Sequence, residues 1–138
     1  MKKIGLDIGT VRIGVATSDI LGIIASAYQV YTRKNLAADA RYMADLAVKL
    51  EADGFVLGLP LKMDGTEGQS VQMVKEFAAE LQKYSSLPIY FQDERLTTVS
   101  AERILLEADM SRKDRKNVID RIAATIILQA FLDKPKKG

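Results

Sequence analysis

The order of strand and helix patterns constrains this chain more than any other feature of its sequence. Apolar residues alternate with other residues in three consecutive segments between residues 3 and 31, the last beginning at Ile23. A period of two is typical of β-strands. Turn-forming residues separate the segments at Gly9–Arg12 and Ser18–Gly22. The sequence therefore opens with a predicted three-stranded antiparallel meander.

After residue 35, helical patterns alternate with strands. Asn35 is a typical N-cap residue, and apolar residues follow it at helical spacing over Leu36–Leu50. The short apolar run Gly54–Leu59 is typical of a strand covered on both faces. Thr66-x-x-Gln69 is a capping-box pattern, and it predicts a second helix that ends near Tyr84.

The last part of the chain predicts one strand and two helices. The strand covers Ile89–Gln92, a short helix ends near Ala108, and a longer helix reaches about Leu132. Ser111-x-x-Asp114 is one capping pattern for the longer helix, and Asn117 is a competing N-cap.

Strands that alternate with helices pair in parallel through right-handed crossovers, whereas the opening meander is antiparallel. The sequence therefore predicts an α/β fold: a five-stranded mixed sheet, antiparallel over its first three strands and then parallel, flanked by helices. A length of 138 residues fits one domain over residues 1–138, with 134–138 as a frayed tail. Open sheets of this kind bind ligands beyond the carboxyl ends of their strands.

Histidine and cysteine are both absent. Their absence excludes disulfides, thiolate metal sites, cysteine nucleophiles and Ser-His-Asp triads. An enzyme of this composition works with carboxylates, hydroxyls, Lys, Arg and backbone amides, which hold Mg²⁺ or Mn²⁺ rather than zinc or copper. The net charge of +2 is too small to indicate nucleic acid by itself. No run of about 18 apolar residues predicts a membrane span, so a cytoplasmic protein is expected.

Three acidic residues occupy unusual positions. Asp7 interrupts an apolar strand between two glycines, where a carboxylate has space for a metal or a phosphate; alternatively, it bonds to the following turn. Glu94 follows the last strand, where it either leaves the core face or forms a surface ion pair with Arg95. Asp120 shares a helix face with apolar residues that should pack on the sheet, or it interacts with the positive end of the helix dipole.

The three acids are more informative together, because they can converge at one edge of the sheet. Three neighbouring carboxylates repel one another unless a cation lies between them. In two-metal catalysis, carboxylates hold ions roughly 4 Å apart, and the ions activate a water and stabilise the leaving oxygen of a phosphodiester. This chemistry needs neither histidine nor cysteine.

Four blocks of the sequence resemble the YqgF family: LDIGTVRIGVA (6–16), VLGLPLKMDGT (56–66), DERLTT (93–98) and DRIAATIIL (120–128). This bacterial ribonuclease H-like group is described both as Holliday junction resolvases and as nucleases that mature pre-16S ribosomal RNA. The resemblance covers nearly the whole chain. It implies a ribonuclease H-like fold with an acidic, metal-binding site at Asp7, Glu94 and Asp120. If the last strand ends early or bulges, Asp93 could replace or assist Glu94.

Further residues are candidates for contacts to phosphate or nucleic acid. Backbone amides at a helix N-terminus bind phosphate, and the loop before the second helix adds a lysine. An arginine and a threonine after the last strand could hold a second phosphate. A capped turn without a ligand is the alternative for the loop. The candidates are Thr10, Arg12, Lys62, Gly65, Thr66, Arg95 and Thr97.

The leading expectation is a metal-dependent endonuclease that matures the 5′ end of pre-16S ribosomal RNA, with resolution of DNA Holliday junctions as the second choice. Resolution needs two symmetric cuts and hence a homodimer, whereas RNA trimming needs one active site, so a monomer and a homodimer both stay open. Ribosomal precursor particles are further expected partners, and no membrane is expected.

Two other function classes compete with a nuclease. Actin-like ATPases and sugar kinases close two lobes over a nucleotide, and 138 residues supply barely one lobe. A non-catalytic nucleic-acid-binding factor is the other alternative. The acids argue against it, because carboxylates near a phosphate backbone weaken binding unless a metal intervenes.

Overall fold

The computed structural model describes residues 1–61, 64–65, 67–93 and 112–134, and over 112–121 it describes the backbone only. These ranges contain β1 (Lys3–Ile8), β2 (Arg12–Ser18), β3 (Ala25–Thr32), α1 (Leu36–Lys49), β4 (Gly54–Leu59), α2 (Gln69–Leu81), β5 (Ile89–Asp93) and α3 (Arg112–Leu132). The predicted short helix near Ala108 and residues 135–138 of the predicted tail 134–138 lie outside them.

The strands form one five-stranded sheet in the order β3-β2-β1-β4-β5. Neighbours among β1, β2 and β3 are antiparallel, whereas β4 is parallel to both β1 and β5. The predicted meander followed by parallel strands is therefore confirmed. The carboxyl ends of β1, β4 and β5 share one edge of the sheet, hereafter the carboxyl edge.

The first helix begins where the sequence predicts it. The Asn35 side chain accepts a hydrogen bond of 2.8 Å from the Ala38 N–H, which satisfies one of the free amides of the first turn. The third strand begins later than predicted, at Ala25. The Asp19 carboxylate accepts hydrogen bonds from the N–H groups of Ile23 (2.7 Å) and Ile24 (2.9 Å), and this local turn takes both residues out of the strand.

The predicted ends of α2 are wrong at both sides. Its N-cap is Gly68, with no side-chain cap, so the capping box that starts at Thr66 does not begin this helix. It ends at Leu81, because the N–H groups of Lys83 and Tyr84 bond to carbonyls three residues earlier in tight turns. The alternative start of the last helix at Asn117 is also wrong, since α3 already includes that residue.

Helices cover both faces of the sheet. One face packs against α1 and α2, and its largest fully buried side chains include Ile4, Leu6, Ile13, Phe55, Leu57, Met43, Phe77 and Leu81. The other face packs against α3 through a smaller cluster of Ala16, Ala25, Val56, Ala124, Ile127 and Leu128. No helix within the described ranges is long and apolar enough to cross a bilayer.

The helix α3 lies directly on β1 because Gly5 has no side chain. A Cβ atom at Gly5 would be 2.7 Å from the Leu128 Cβ and 3.1 Å from the Ala124 carbonyl oxygen. Such distances leave no room for a methyl group. Gly5 therefore sets how closely the helix approaches the sheet.

The direction of α3 follows from contacts near its C-terminus. Gln129 accepts a hydrogen bond of 2.8 Å from the Ala25 N–H and donates one of 2.9 Å to the Ile23 carbonyl, at the start of β3. Phe131 packs on Tyr90, near the start of β5, with ring centroids 5.1 Å apart. The C-terminal end of α3 thus lies at the amino ends of these strands. The helix therefore runs antiparallel to β1, and its N-terminal part lies toward the carboxyl edge.

We predict that Gly5→Ala lowers the free energy of unfolding by about 1 to 3 kcal/mol, because the added methyl group pushes α3 away from β1. Chemical denaturation measures this loss. Gly54→Ala is the matched control, since its Cβ would meet mainly the flexible end of Lys3, at 3.1 Å. Equal losses in the two variants would contradict the close approach at Gly5.

Candidate functional site

Asp7 lies on the α3 face of the sheet, at the carboxyl edge. Its neighbours Leu6 and Ile8 belong to the core on the opposite face, and successive side chains of a strand alternate between faces. The Asp7 side chain is partly buried. The prediction that it shares a face with Gly5 is therefore confirmed.

Glycines flank Asp7 on both neighbouring strands. Asp7 pairs with Gly14 on β2. On the other side, Leu6 pairs with Leu57 of β4, so the next residue, Asp7, lies beside Gly58. Neither strand therefore contributes a side chain next to the carboxylate. This leaves lateral space on the sheet surface for a bound group.

A groove of about 230 Å³ opens beside Asp7. Its floor consists of Asp7, Gly14 and Val30, which lie side by side on β1, β2 and β3. Its rim is the turn Gly9–Arg12, in which Thr10, Val11 and Arg12 are exposed. The structure thus brings together three predicted site residues, namely Asp7, Thr10 and Arg12. A carboxylate, a hydroxyl, a guanidinium and apolar walls suit a ligand that carries both negative charge and apolar surface.

The turn on the rim is tight. The Gly9 N–H donates a hydrogen bond of 2.9 Å to the Arg12 carbonyl, and a Cβ at Gly9 would lie only 2.6 Å from that carbonyl oxygen. Arg33 follows β3 directly; its N–H donates to the Val11 carbonyl at 2.9 Å, and its Nη1 donates to the Gly9 carbonyl at 3.0 Å. Arg33 therefore holds the turn through one backbone and one side-chain hydrogen bond.

A buried ion pair holds Arg33 in place. The Arg33 Nε donates to the Asp39 carboxylate at 2.9 Å, and its guanidinium lies 5.7 Å from the centre of the Phe77 ring. Asp39 is fully buried and also accepts hydrogen bonds of 2.9 Å from the Tyr31 hydroxyl and the Lys34 N–H. The rim of the groove is thus tied to a polar network inside the core.

The network shifts the pKa values of its members. Burial raises the pKa of Asp39, but the hydrogen bonds from Lys34, Arg33 and Tyr31 together outweigh it, so this pKa lies below its ordinary value. Burial and the hydrogen bond to Asp39 raise the pKa of Tyr31 to about 12. At neutral pH, Asp39 is therefore charged and Tyr31 remains a donor. This network was not predicted from the sequence, although Asp39 lies among apolar residues on the buried stripe of α1.

The backbone of Asp120 lies at the level of Asp7. Asp7 is two residues past Gly5, about 6.6 Å along β1. Asp120 is four residues before Ala124, which contacts Gly5, and this is about 6 Å along α3. Because α3 runs antiparallel to β1, both displacements lead to the carboxyl edge.

The strand β5 continues through Asp93, which pairs with Leu59 without a shift in register. Asp93 alternates with Gln92, so its side chain lies on the face opposite to Asp7. The early strand end or bulge that would let Asp93 replace Glu94 is not seen up to this residue.

Gly65 has a φ of 86°, in the left-handed region that favours glycine.

The other predicted site residues lie outside the described part of the chain: Lys62, Thr66, Glu94, Arg95 and Thr97. Within the described part, no three acidic side chains cluster as a metal site. Of the predicted triad, only the Asp7 side chain belongs to that part. Carboxylate oxygens as a donor set fit a hard divalent ion such as Mg²⁺ or Mn²⁺.

Known proteins resemble this chain in sequence. A family model described as "RuvX: Holliday junction resolvase" matches residues 1–134. A protein of Syntrophomonas wolfei named "Putative pre-16S rRNA nuclease" is 49% identical over 138 residues, which is 100% of this chain and 98% of that protein. A protein of the same name from Moorella thermoacetica is 48% identical over 134 residues, covering 97% and 96%.

Solved structures resemble it in fold. The fowlpox virus Holliday junction resolvase has a TM-score of 0.57 at 13% identity, covering 96% of this chain and 99% of that one. Thermus thermophilus RuvC, in complex with a Holliday junction substrate, has a TM-score of 0.54 at 11% identity, covering 96% of both. The expected ribonuclease H-like fold is confirmed.

We predict that Asp39→Asn lowers the free energy of unfolding at pH 7 by about 3 kcal/mol, because it leaves the partly buried Arg33 without its charged partner. The pKa of Asp39 is lowered by folding, so its stabilising charge is present above the unfolded value near 3.8 and is lost as the pH falls through the folded value. The difference between wild type and variant should therefore shrink below about pH 4. Denaturation at pH 7 and at acid pH tests this.

The matched control for this experiment is Asp45→Asn, at an exposed position of the same helix. It should change stability little at either pH. A difference between wild type and Asp39→Asn that stays constant down to pH 2 would contradict the ion pair.

Proposed function

Because this chain belongs to the RuvX (YqgF) family of nucleases, we propose that it cuts phosphodiester bonds in the groove beside Asp7 and that its substrate is precursor 16S ribosomal RNA. The resemblance to this family, first noted from four sequence blocks, is confirmed. The chain is an enzyme that acts on nucleic acid. The kinase and the non-catalytic binding factor are therefore set aside.

The position of Asp7 carries the proposal for the site. A carboxylate at the carboxyl edge, with glycines on both neighbouring strands, can meet a group as bulky as a phosphodiester without a clash with side chains of β2 or β4. Arg12 and Thr10 on the groove rim supply a cation and a hydroxyl, which are typical phosphate contacts. The Asp120 backbone lies at the level of Asp7 along the sheet, and this supports placing Asp120 in the same site.

We assign the catalytic roles to Asp7, Glu94 and Asp120. These carboxylates would hold Mg²⁺ or Mn²⁺, which would supply activation of a water and stabilisation of the leaving oxygen. Arg12 and Thr10 orient the substrate, together with the loop residues Lys62, Gly65 and Thr66 and with Arg95 and Thr97 after β5. With no histidine in the chain, the proton of the attacking water passes to a carboxylate or to a substrate phosphate.

Ribosomal RNA is favoured because curated relatives at 48–49% identity over nearly their whole length bear the name of pre-16S rRNA nucleases. A substrate of this kind implies ribosomal precursor particles as partners and action in the cytoplasm. One active site is enough for it, so a monomer can perform the reaction.

Resolution of DNA Holliday junctions is the second candidate, favoured by the description of the family model. It requires a homodimer with two active sites about a two-fold axis. The two candidates are separated by incubating the purified protein with precursor 16S RNA and with a synthetic junction, each with Mg²⁺, Mn²⁺ or a chelator. Sedimentation of the same samples gives the oligomeric state.

We predict that Asp7→Asn abolishes metal-dependent cleavage while the fold stays intact, since the amide keeps the size of the side chain and loses its charge. Cleavage assays with circular dichroism as a folding check measure both effects. Asp45→Asn, at the exposed surface of α1, is the control and should cleave as wild type does. Full activity of Asp7→Asn, with contaminating nuclease excluded, would refute the site.

We predict that Mn²⁺ raises the Tm of wild type and raises that of Glu94→Gln much less, because a metal that binds only the folded protein stabilises it. Asp93→Asn is the comparison and should retain the full shift, since its side chain lies on the opposite face of the sheet. Thermal melting with and without Mn²⁺ measures the shifts. If Asp93→Asn loses the shift and Glu94→Gln keeps it, the two residues must exchange roles.

A further inference from the structure

Gln92 carries an unsatisfied hydrogen-bond acceptor near the carboxyl edge. The residue is only 8% exposed, and its Nε2 donates a hydrogen bond of 3.3 Å to the Asp93 carbonyl, which fixes the orientation of the amide. Within the described part of the chain, its Oε1 is buried and has no hydrogen-bond partner. A buried acceptor without a donor costs free energy, so a donor from a ligand would be favourable here.

Gln92 lies in the same row of the sheet as Asp7. Two residues earlier, Tyr90 packs on Phe131 of α3, so alternation sets Gln92 on the α3 face too. Gln92 pairs with Gly58, and Gly58 is the neighbour of Asp7 on β4. The two side chains are therefore two strand spacings apart, about 10 Å, with no side chain from the strand between them. A nucleotide that binds over Gly58 would lie between Asp7 and the Gln92 amide.

We propose that the Gln92 Oε1 accepts a hydrogen bond from the 2′-hydroxyl of the ribose whose 3′ oxygen carries the scissile phosphate, and so makes this nuclease favour RNA. Phosphate oxygens only accept hydrogen bonds, and deoxyribose has no polar group at C2′. The 2′-hydroxyl is a donor that every ribonucleotide carries next to its 3′ phosphate, and it is the group by which proteins distinguish RNA from DNA. The inference rests on the proposed function and deepens it.

The test uses a precursor 16S RNA fragment that spans the cleavage site, in an all-ribose form and with a single 2′-deoxy substitution at the nucleotide 5′ to the cut. We expect wild type to cleave the all-ribose form with a kcat/KM about tenfold higher, the value of one hydrogen bond between neutral groups. Gln92→Met keeps the length of the side chain and removes the acceptor. In Gln92→Met, the ratio of kcat/KM for the all-ribose form to kcat/KM for the 2′-deoxy form should fall toward one, because only cleavage of the all-ribose form slows.

Two further variants separate recognition from packing. Gln92→Glu keeps an acceptor and should retain the preference for ribose. Thr125→Val removes the other buried side-chain oxygen without a partner in the described ranges, on α3, and should leave the ratio unchanged. A Tm of Gln92→Met at or above that of wild type, as expected when an unsatisfied buried group is removed, supports the orphan acceptor.

The outcomes distinguish this inference from the proposed function. If Gln92→Met slows both substrates equally, or leaves the ratio as in wild type, the amide does not read the ribose and the inference is overturned while the nuclease assignment stands. If wild type cuts neither RNA form but cuts a DNA junction, the RNA function fails and the inference fails with it.

Discussion

At Gly5 the backbone of β1 meets α3 with no side chain between them, and the arrangement of the candidate site depends on this contact. The contact sets the height of the helix above the sheet and, with the polar and aromatic contacts at Gln129 and Phe131, its direction. Glycine destabilises a strand, because it has no side chain to pack and loses more conformational entropy on folding than other residues. At Gly5 that cost is offset by the close packing of α3. The same packing places the Asp120 backbone at the level of Asp7 along the sheet.

Two further glycines extend the same design to the neighbouring strands. Gly14 and Gly58 flank Asp7, so β2 and β4 place no side chain beside the carboxylate. The rim above this strip is rigid by a different means. Arg33 bonds to the Gly9 carbonyl, and Asp39 holds Arg33 from inside the core. The desolvation of a buried ion pair is offset only when its remaining hydrogen bonds are formed. Here the Tyr31 hydroxyl and the Lys34 N–H donate them to Asp39.

The strand and helix order, the mixed sheet and the face of Asp7 could all be predicted from the sequence, because each follows from a period of two or 3.6 residues. The misplaced boundaries have local causes. Asp19 draws Ile23 and Ile24 into a turn through bonds that alternation does not reveal. The capping-box pattern at Thr66 competes with Gly68, which starts the helix without any side-chain bond. Asp39 was missed because its partners Tyr31, Arg33 and Lys34 come from β3 and the segment after it. Gln92 was missed because only the fold shows that its Oε1 is buried without a donor among the described residues.

Charge explains why a neutral acceptor suits the row that contains Asp7. The predicted site already gathers three carboxylates, and each further negative charge would repel the phosphates of a nucleic acid. An amide oxygen accepts a hydrogen bond from a sugar hydroxyl without adding to that repulsion. The amide also differs from Arg12, whose donors suit any phosphate in RNA or DNA alike. In the proposed mechanism, Arg12 on the groove rim binds the phosphate backbone, and the uncharged Gln92 amide distinguishes the sugars.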